Sequence, residues 1–86
     1  MSVETRREYV KNYLRTHPCV DCGETDIRCL EFDHIDRSEK EMWIADAIWK
    51  MGQARLEAEI DKCQVRCANC HSIRHYVEQM KGKEND

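Results

Sequence analysis

The chain is short of almost everything an ordinary hydrophobic core needs. It has one phenylalanine, and 36% of its residues are charged, so little apolar area is available to hold 86 residues together. A domain of that size buries only about 60% of the surface its unfolded form exposes, so a further staple is expected. No apolar run approaches the ~20 residues a membrane-spanning helix needs. No apolar stretch follows a basic start, and no secretory signal is expected. Repeats, low-complexity segments and long linkers are missing too, and residues 1–86 read as one domain. A positive charge excess is also missing: the net charge of −3 argues against a generic nucleic-acid binder. Its distribution softens that argument. Arg6, Arg7, Lys11 and Arg15 outnumber Glu4 and Glu8 at the start, and acidic residues concentrate between positions 21 and 61, where some could serve as metal ligands.

What the chain does have is cysteine. Four of its six cysteines form two Cys-x-x-Cys pairs, Cys19/Cys22 and Cys67/Cys70. Each pair presents two sulfurs from one turn, and together they can close a tetrahedral zinc site. The competing reading is a disulfide framework, which the absence of secretory features disfavours; zinc in a reducing, cytoplasmic setting is expected. Between Cys22 and Cys67 lie 44 residues, against roughly 15–20 in a simple zinc ribbon, so the segment between the knuckles is an insertion. Cys29 and Cys63 lack partners at knuckle spacing and are expected as small buried hydrophobes.

Local patterns predict helix, strand, helical insert, strand, helix. Thr5 and Glu8 have capping-box spacing, which predicts a helix over 5–16 that stops before Pro18. Gly23 suits the tight turn of the first knuckle. Residues 29–35 read as a strand. Ser38 and Glu41 mark a second capping box, leading into Met42 to Met51 with Gly52 as the stop. Ala54 to Asp61 is helical, Gln64 to Arg66 a brief strand, and 69–80 a final helix fraying at Gly82 before a disordered tail over 82–86.

The insertion carries Leu30-Glu31-Phe32-Asp33-His34-Ile35, and the second knuckle runs directly into His71 and His75. Two histidines four apart share one helix face one turn apart, the spacing of a metal clip. The bland alternatives are a solvated pair, or His75 as a phosphate contact. Asp33 and His34 are adjacent on a strand, so their side chains diverge. One can bind a metal while the other acts on a different atom, unless the pair is simply a strand-end turn or ion pair. Hydrolysis needs that division: a metal for the leaving oxygen and a near-neutral imidazole to deprotonate water.

Cys-x-x-Cys-Gly, Leu-Glu-Phe-Asp-His-Ile and Glu-Ile-Asp-Lys-Cys-Gln-Val-Arg-Cys-Ala-Asn-Cys-His together resemble small phage and bacterial HNH endonucleases of the ββα-metal fold, over about Tyr13 to His75. The resemblance implies an α+β, zinc-stapled domain with an N-terminal helix and a helical insert between the strands. It implies His34 as general base, and Asp33, His71 and His75 as ligands of a catalytic divalent ion (Mg²⁺, Mn²⁺, Ni²⁺ or Zn²⁺). Structural zinc falls to Cys19, Cys22, Cys67 and Cys70. DNA is the implied substrate, with a helix in the minor groove and backbone contacts from Arg7, Lys11, Arg15, Arg66 and Arg74. The family's middle asparagine, which orients the base or braces its loop, has Lys62 in its place here. A non-catalytic zinc module binding DNA or a protein is the competing expectation. Met42, Trp43, Ile44, Ile48, Trp49 and Met51 form either core under the insert or, through the tryptophans, a homodimer surface.

Overall fold

The computed structural model of the protein describes residues 2–84, with side chains through Met80. Among these residues are four α-helices and one two-stranded sheet: α1 (Val3–Thr16), β1 (Leu30–His34), α2 (Ile44–Lys50), α3 (Gln53–Asp61), β2 (Cys63–Cys67) and α4 (Ala68–Glu84). The architecture is α+β, in the expected order. No helix among the described residues is long and apolar enough to cross a membrane.

Helix α1 begins two residues before the expected start because Ser2, not Thr5, caps it: the Ser2 hydroxyl accepts the Thr5 N–H at 3.2 Å. It ends at His17, directly before Pro18. The strands pair antiparallel, Leu30 opposite Cys67 and His34 opposite Cys63. Alternation then sorts the side chains. Leu30, Phe32 and His34, with Cys67, Val65 and Cys63 across from them, share one face; Glu31 and Asp33 share the other.

Two apolar clusters build the core. Leu14, Cys19, Leu30, Val65 and Cys67 join α1 to the sheet, and Ile44, Ala47, Met51, Leu56, Ile60 and Cys63 form the core of the insert. Val10, Tyr13 and Phe32 pack against both and weld them together.

The insert departs from expectation at its start and middle. Ser38 sits in a 3₁₀ turn (Arg37–Glu39) capped by Asp36, and α2 starts only at Ile44, with Trp43 as a cap lacking a side-chain bond. Gly52 has an ordinary extended conformation (φ −72°, ψ 171°) and precedes α3 as its N-cap; it is not a left-handed stop after α2. Gly23 does adopt positive φ, at +80°, in the first knuckle. Trp43 and Trp49 are exposed, which rules out the first of their two expected places, the core under the insert. Helix α2 has only two turns, and the stripe of Ile44, Ala47 and Met51 uses its whole inward face. Cys63 is buried as expected, whereas Cys29 is exposed at the end of a 3₁₀ turn. Helix α4 continues through Gly82 to Glu84, beyond the predicted fraying point; of the predicted tail, residues 85 and 86 lie outside the described residues.

Candidate metal and hydrolytic centre

The four knuckle cysteines converge. Their sulfurs all lie within 4.8 Å of one another, although the two pairs come from opposite ends of the chain. Thiolates ~2.3 Å from a tetrahedral zinc are separated by roughly 3.8 Å. Cys22 Sγ and Cys67 Sγ lie 3.7 Å apart. The backbone supports this shape: Gly23 N–H donates to the Cys19 carbonyl at 2.9 Å, and Cys70 N–H points at Cys67 Sγ at 3.5 Å. Burial works to raise the Cys19 thiol, but backbone N–H groups of Cys67, Cys22 and Asp21 outweigh it and bring it down to about 6. Cys22 and Cys70 respond in the opposite sense, Cys70 being pushed up chiefly by its sulfur contact with Cys67. Four sulfurs at this distance cannot all ionise without a cation among them. The donor set therefore fits zinc.

A second polar group gathers at the far end of the sheet. Asp33 and His34 are both buried, at 3% and 4% exposure, one on each face of β1. Asp33 turns toward α4. Its Oδ2 accepts from Arg74 Nη1 at 2.6 Å and Arg66 Nη1 at 3.0 Å. Burial opposes its ionisation, but the Arg74 hydrogen bond and the charges of His71, Arg74 and Arg66 hold the carboxyl below the usual range. The other oxygen, Oδ1, lies 3.5 Å from His71 Nε2. His71 Nδ1 is meanwhile bonded to Glu31 Oε1 at 2.7 Å. A carboxylate only accepts, so Nδ1 carries a proton, and Nε2, the nitrogen toward Asp33, is the one that could offer its lone pair to a metal ion. At 3.5 Å the two atoms have the separation of two ligands of one ion, which would take the place of an Nε2 proton between them. Ligands ~2.1 Å from one ion, at 90–110° to each other, lie roughly 3.0–3.4 Å apart.

His34 turns the other way, toward α3, where its Nε2 meets Glu59 Oε2 at 2.8 Å. Its Nε2 therefore carries a proton, and Nδ1 is the nitrogen that can act as an acceptor in the neutral ring. Asp33, His34, His71 and His75 all line one concavity of about 420 Å³, which Phe32, Arg37, Lys40 and Trp43 complete.

Not every expected residue joins the group. His75 lines the concavity, but its Nδ1 accepts from Arg37 Nη2 at 2.7 Å and its Nε2 contacts Gln79. Among the described residues, only the cysteines form a group of three or more ligand side chains with all donor atoms within 4.8 Å. Arg66 and Arg74, expected on the DNA backbone, are committed to Asp33; Arg74 also donates to the carbonyls of His34 and Ile35 and thereby ties α4 to the end of β1. Arg15 bonds Glu8 and Asn12 on its own helix, while Arg7 and Lys11 are exposed on α1. The cations that do reach the concavity are Arg37 and Lys40.

Three acting residues escaped the sequence reading. Glu31 is two positions from Asp33 and so shares its face, a signal that was available. Glu59 sits between Leu56 and Ile60 on the buried stripe of α3, where a charged residue is itself a flag. Lys62, which stands in the place of the resembled family's middle asparagine, bonds Glu59 Oε1 at 2.8 Å and the Glu39 carbonyl at 3.0 Å. No family model, no curated protein and no solved structure matches the chain.

Proposed function

We propose that this chain is a metal-dependent endonuclease that hydrolyses DNA phosphodiester bonds, a zinc-stapled ββα-metal domain of the HNH kind. The observation that carries the reading is the approach of Asp33 Oδ1 and His71 Nε2, 3.5 Å apart, in the concavity that His34 also lines. A divalent ion held by these two atoms would stabilise the charge on the scissile phosphate and its leaving oxygen. Magnesium and similar ions need only one or two protein ligands, the rest being water and substrate phosphate, so His75 is not required. His71 is oriented for this by Glu31, as metal-bound histidines commonly are. His34, with Nε2 taken by Glu59, offers Nδ1 as the base that accepts a proton from the attacking water. Arg37 and Lys40 present positive charge where the substrate phosphates would lie.

The test is supercoiled plasmid incubated with the zinc-loaded protein and Mg²⁺, Mn²⁺ or Ni²⁺, with and without EDTA, beside His34→Ala. Open-circular or linear product from the wild type alone, abolished by EDTA, supports the reading. A second reading, a non-catalytic zinc module, is favoured by the commitment of Arg66 and Arg74 to Asp33 and by the net charge of −3. It requires that no ion give cleavage while DNA or a protein partner is still bound.

A further inference from the structure

Glu59 is 1% exposed. An ionised carboxylate in a core is costly unless its oxygens are satisfied, and a side chain that only filled space would be better served by leucine. Every contact of this carboxylate leads toward the candidate base. Oε2 accepts from His34 Nε2 at 2.8 Å and from the Glu41 backbone N–H at 3.0 Å. Oε1 accepts from Lys62 Nζ at 2.8 Å, and the same ammonium donates to the Glu39 carbonyl at 3.0 Å. The Lys62 carbonyl in turn accepts the N–H of Ile35, the residue after His34, at 2.9 Å. One carboxylate and one ammonium thus join the end of β1, the loop at 39–41, helix α3 and the turn into β2.

We propose that Glu59 is the positioning residue of His34 and that Lys62 locks Glu59 in place, so the pair supplies the orientation and loop bracing that the resembled family draws from its middle asparagine. The significance for catalysis rests on the nuclease reading; the geometry does not. A carboxylate cannot donate, so Glu59 admits only the Nε2–H tautomer of neutral His34 and keeps the Nδ1 lone pair available. Without it the ring is free to exchange tautomers and to turn. Loss of tautomer control at a comparable histidine–carboxylate pair lowers kcat by orders of magnitude.

The experiment uses the zinc-loaded chain, labelled with ¹⁵N-histidine, and reads the His34 tautomer by long-range ¹H–¹⁵N NMR alongside plasmid-cleavage kinetics. The wild type should show a single Nε2–H form. Glu59→Ala should give mixed tautomers and a kcat lowered about a hundredfold or more, with KM little changed. Glu59→Gln, which keeps an acceptor oxygen, should restore the Nε2–H signature and a large part of kcat. Should Glu59→Ala fail to fold, Lys62→Met makes the same test, since it frees one carboxylate oxygen; mixed tautomers or a lowered kcat are expected. An unchanged tautomer and kcat in the variants that fold, or an effect confined to melting temperature, would overturn the proposal. If the wild type cleaves nothing while its His34 tautomer responds to Glu59, the nuclease reading falls and the positioning role stands.

Discussion

The two ends of the sheet solve opposite problems. At the Leu30–Cys67 end, polar atoms are arranged to need something: four sulfurs within 4.8 Å repel one another as they ionise. At the His34–Cys63 end, most polar atoms are already satisfied, Asp33 by two arginines and Glu59 by a lysine, a backbone amide and a histidine. Three atoms there are left for something else to use: Asp33 Oδ1 and His71 Nε2, which face one another, and Nδ1 of His34. A staple can be wholly unsatisfied before its metal arrives, because the metal is what makes it fold. A reactive centre has to be held by groups other than the one it acts with.

That contrast can be broken most forcefully at the cysteine end. Removing zinc with a strong chelator, or replacing Cys67 by Ala, should abolish cooperative folding, since structural zinc contributes on the order of 10 kcal/mol to domains of this kind. Loss of the far-ultraviolet helical signal would report it, and retained folding would refute the staple. At the other end, Asp33→Ala removes the buried carboxylate that Arg74 and Arg66 share, leaving Arg66 to Asp21 and Arg74 to Glu78 and two carbonyls. A destabilisation of roughly 3 kcal/mol is expected, read from the urea midpoint, with Asp33→Asn costing less.

A smaller and more specific effect concerns acid. Burial favours the neutral form of Glu59, but hydrogen bonds from Lys62, the Glu41 amide and His34 prevail and hold its carboxyl down to about 2, against 4.5 for an ordinary glutamate. A group lowered on folding stabilises the native state above its unfolded value, and that contribution fades as pH falls toward the folded value. The stability difference between wild type and Glu59→Gln should therefore be constant above about pH 5 and shrink between about 4.5 and 2. The difference is read over the part of that range in which zinc stays bound and both proteins fold. A difference that does not vary with pH would mean that folding leaves the Glu59 carboxyl's proton affinity unchanged, and one that grows as pH falls would mean that Glu59 is neutral in the folded protein. The smallest effect is expected at Trp49, exposed on the outer face of α2. Trp49→Ser should change stability by less than about 0.5 kcal/mol, and a larger loss in a concentration-dependent mass would instead reveal the dimer surface.

The same contrast explains what the sequence could disclose. The knuckles are local: two residues between ligands fix a turn, so Cys19, Cys22, Cys67 and Cys70 could be paired from spacing alone. Helix α1, both strands and the order of elements were legible too, although Ser2 and not the Thr5–Glu8 pattern caps α1. The partners of Asp33 and His34 are 25 to 41 residues distant along the chain and reached only through the register of β1 against β2. Spacing carries no information about such pairs, which is why Glu59 was overlooked and Arg66 and Arg74 were assigned outward. His75 shows the limit of helical periodicity. It does share a face with His71, but Arg37, from a turn the pattern at Ser38 and Glu41 misread, holds its Nδ1.

The long separation of the knuckles has a kinetic consequence. Cys19 and Cys22 close only half of their site, and the other half lies 45 positions later at Cys67. During synthesis the ribosome must release Cys70 before the site can close, so the first helix and the insert wait without their staple. Joining ends that far apart carries a loop-closure cost that local structure does not reduce, and folding rates fall as contacts become more distant in sequence. Folding should therefore appear as a single late event, its rate set by capture of the second pair of thiols, with no stable early intermediate built from the first half of the chain.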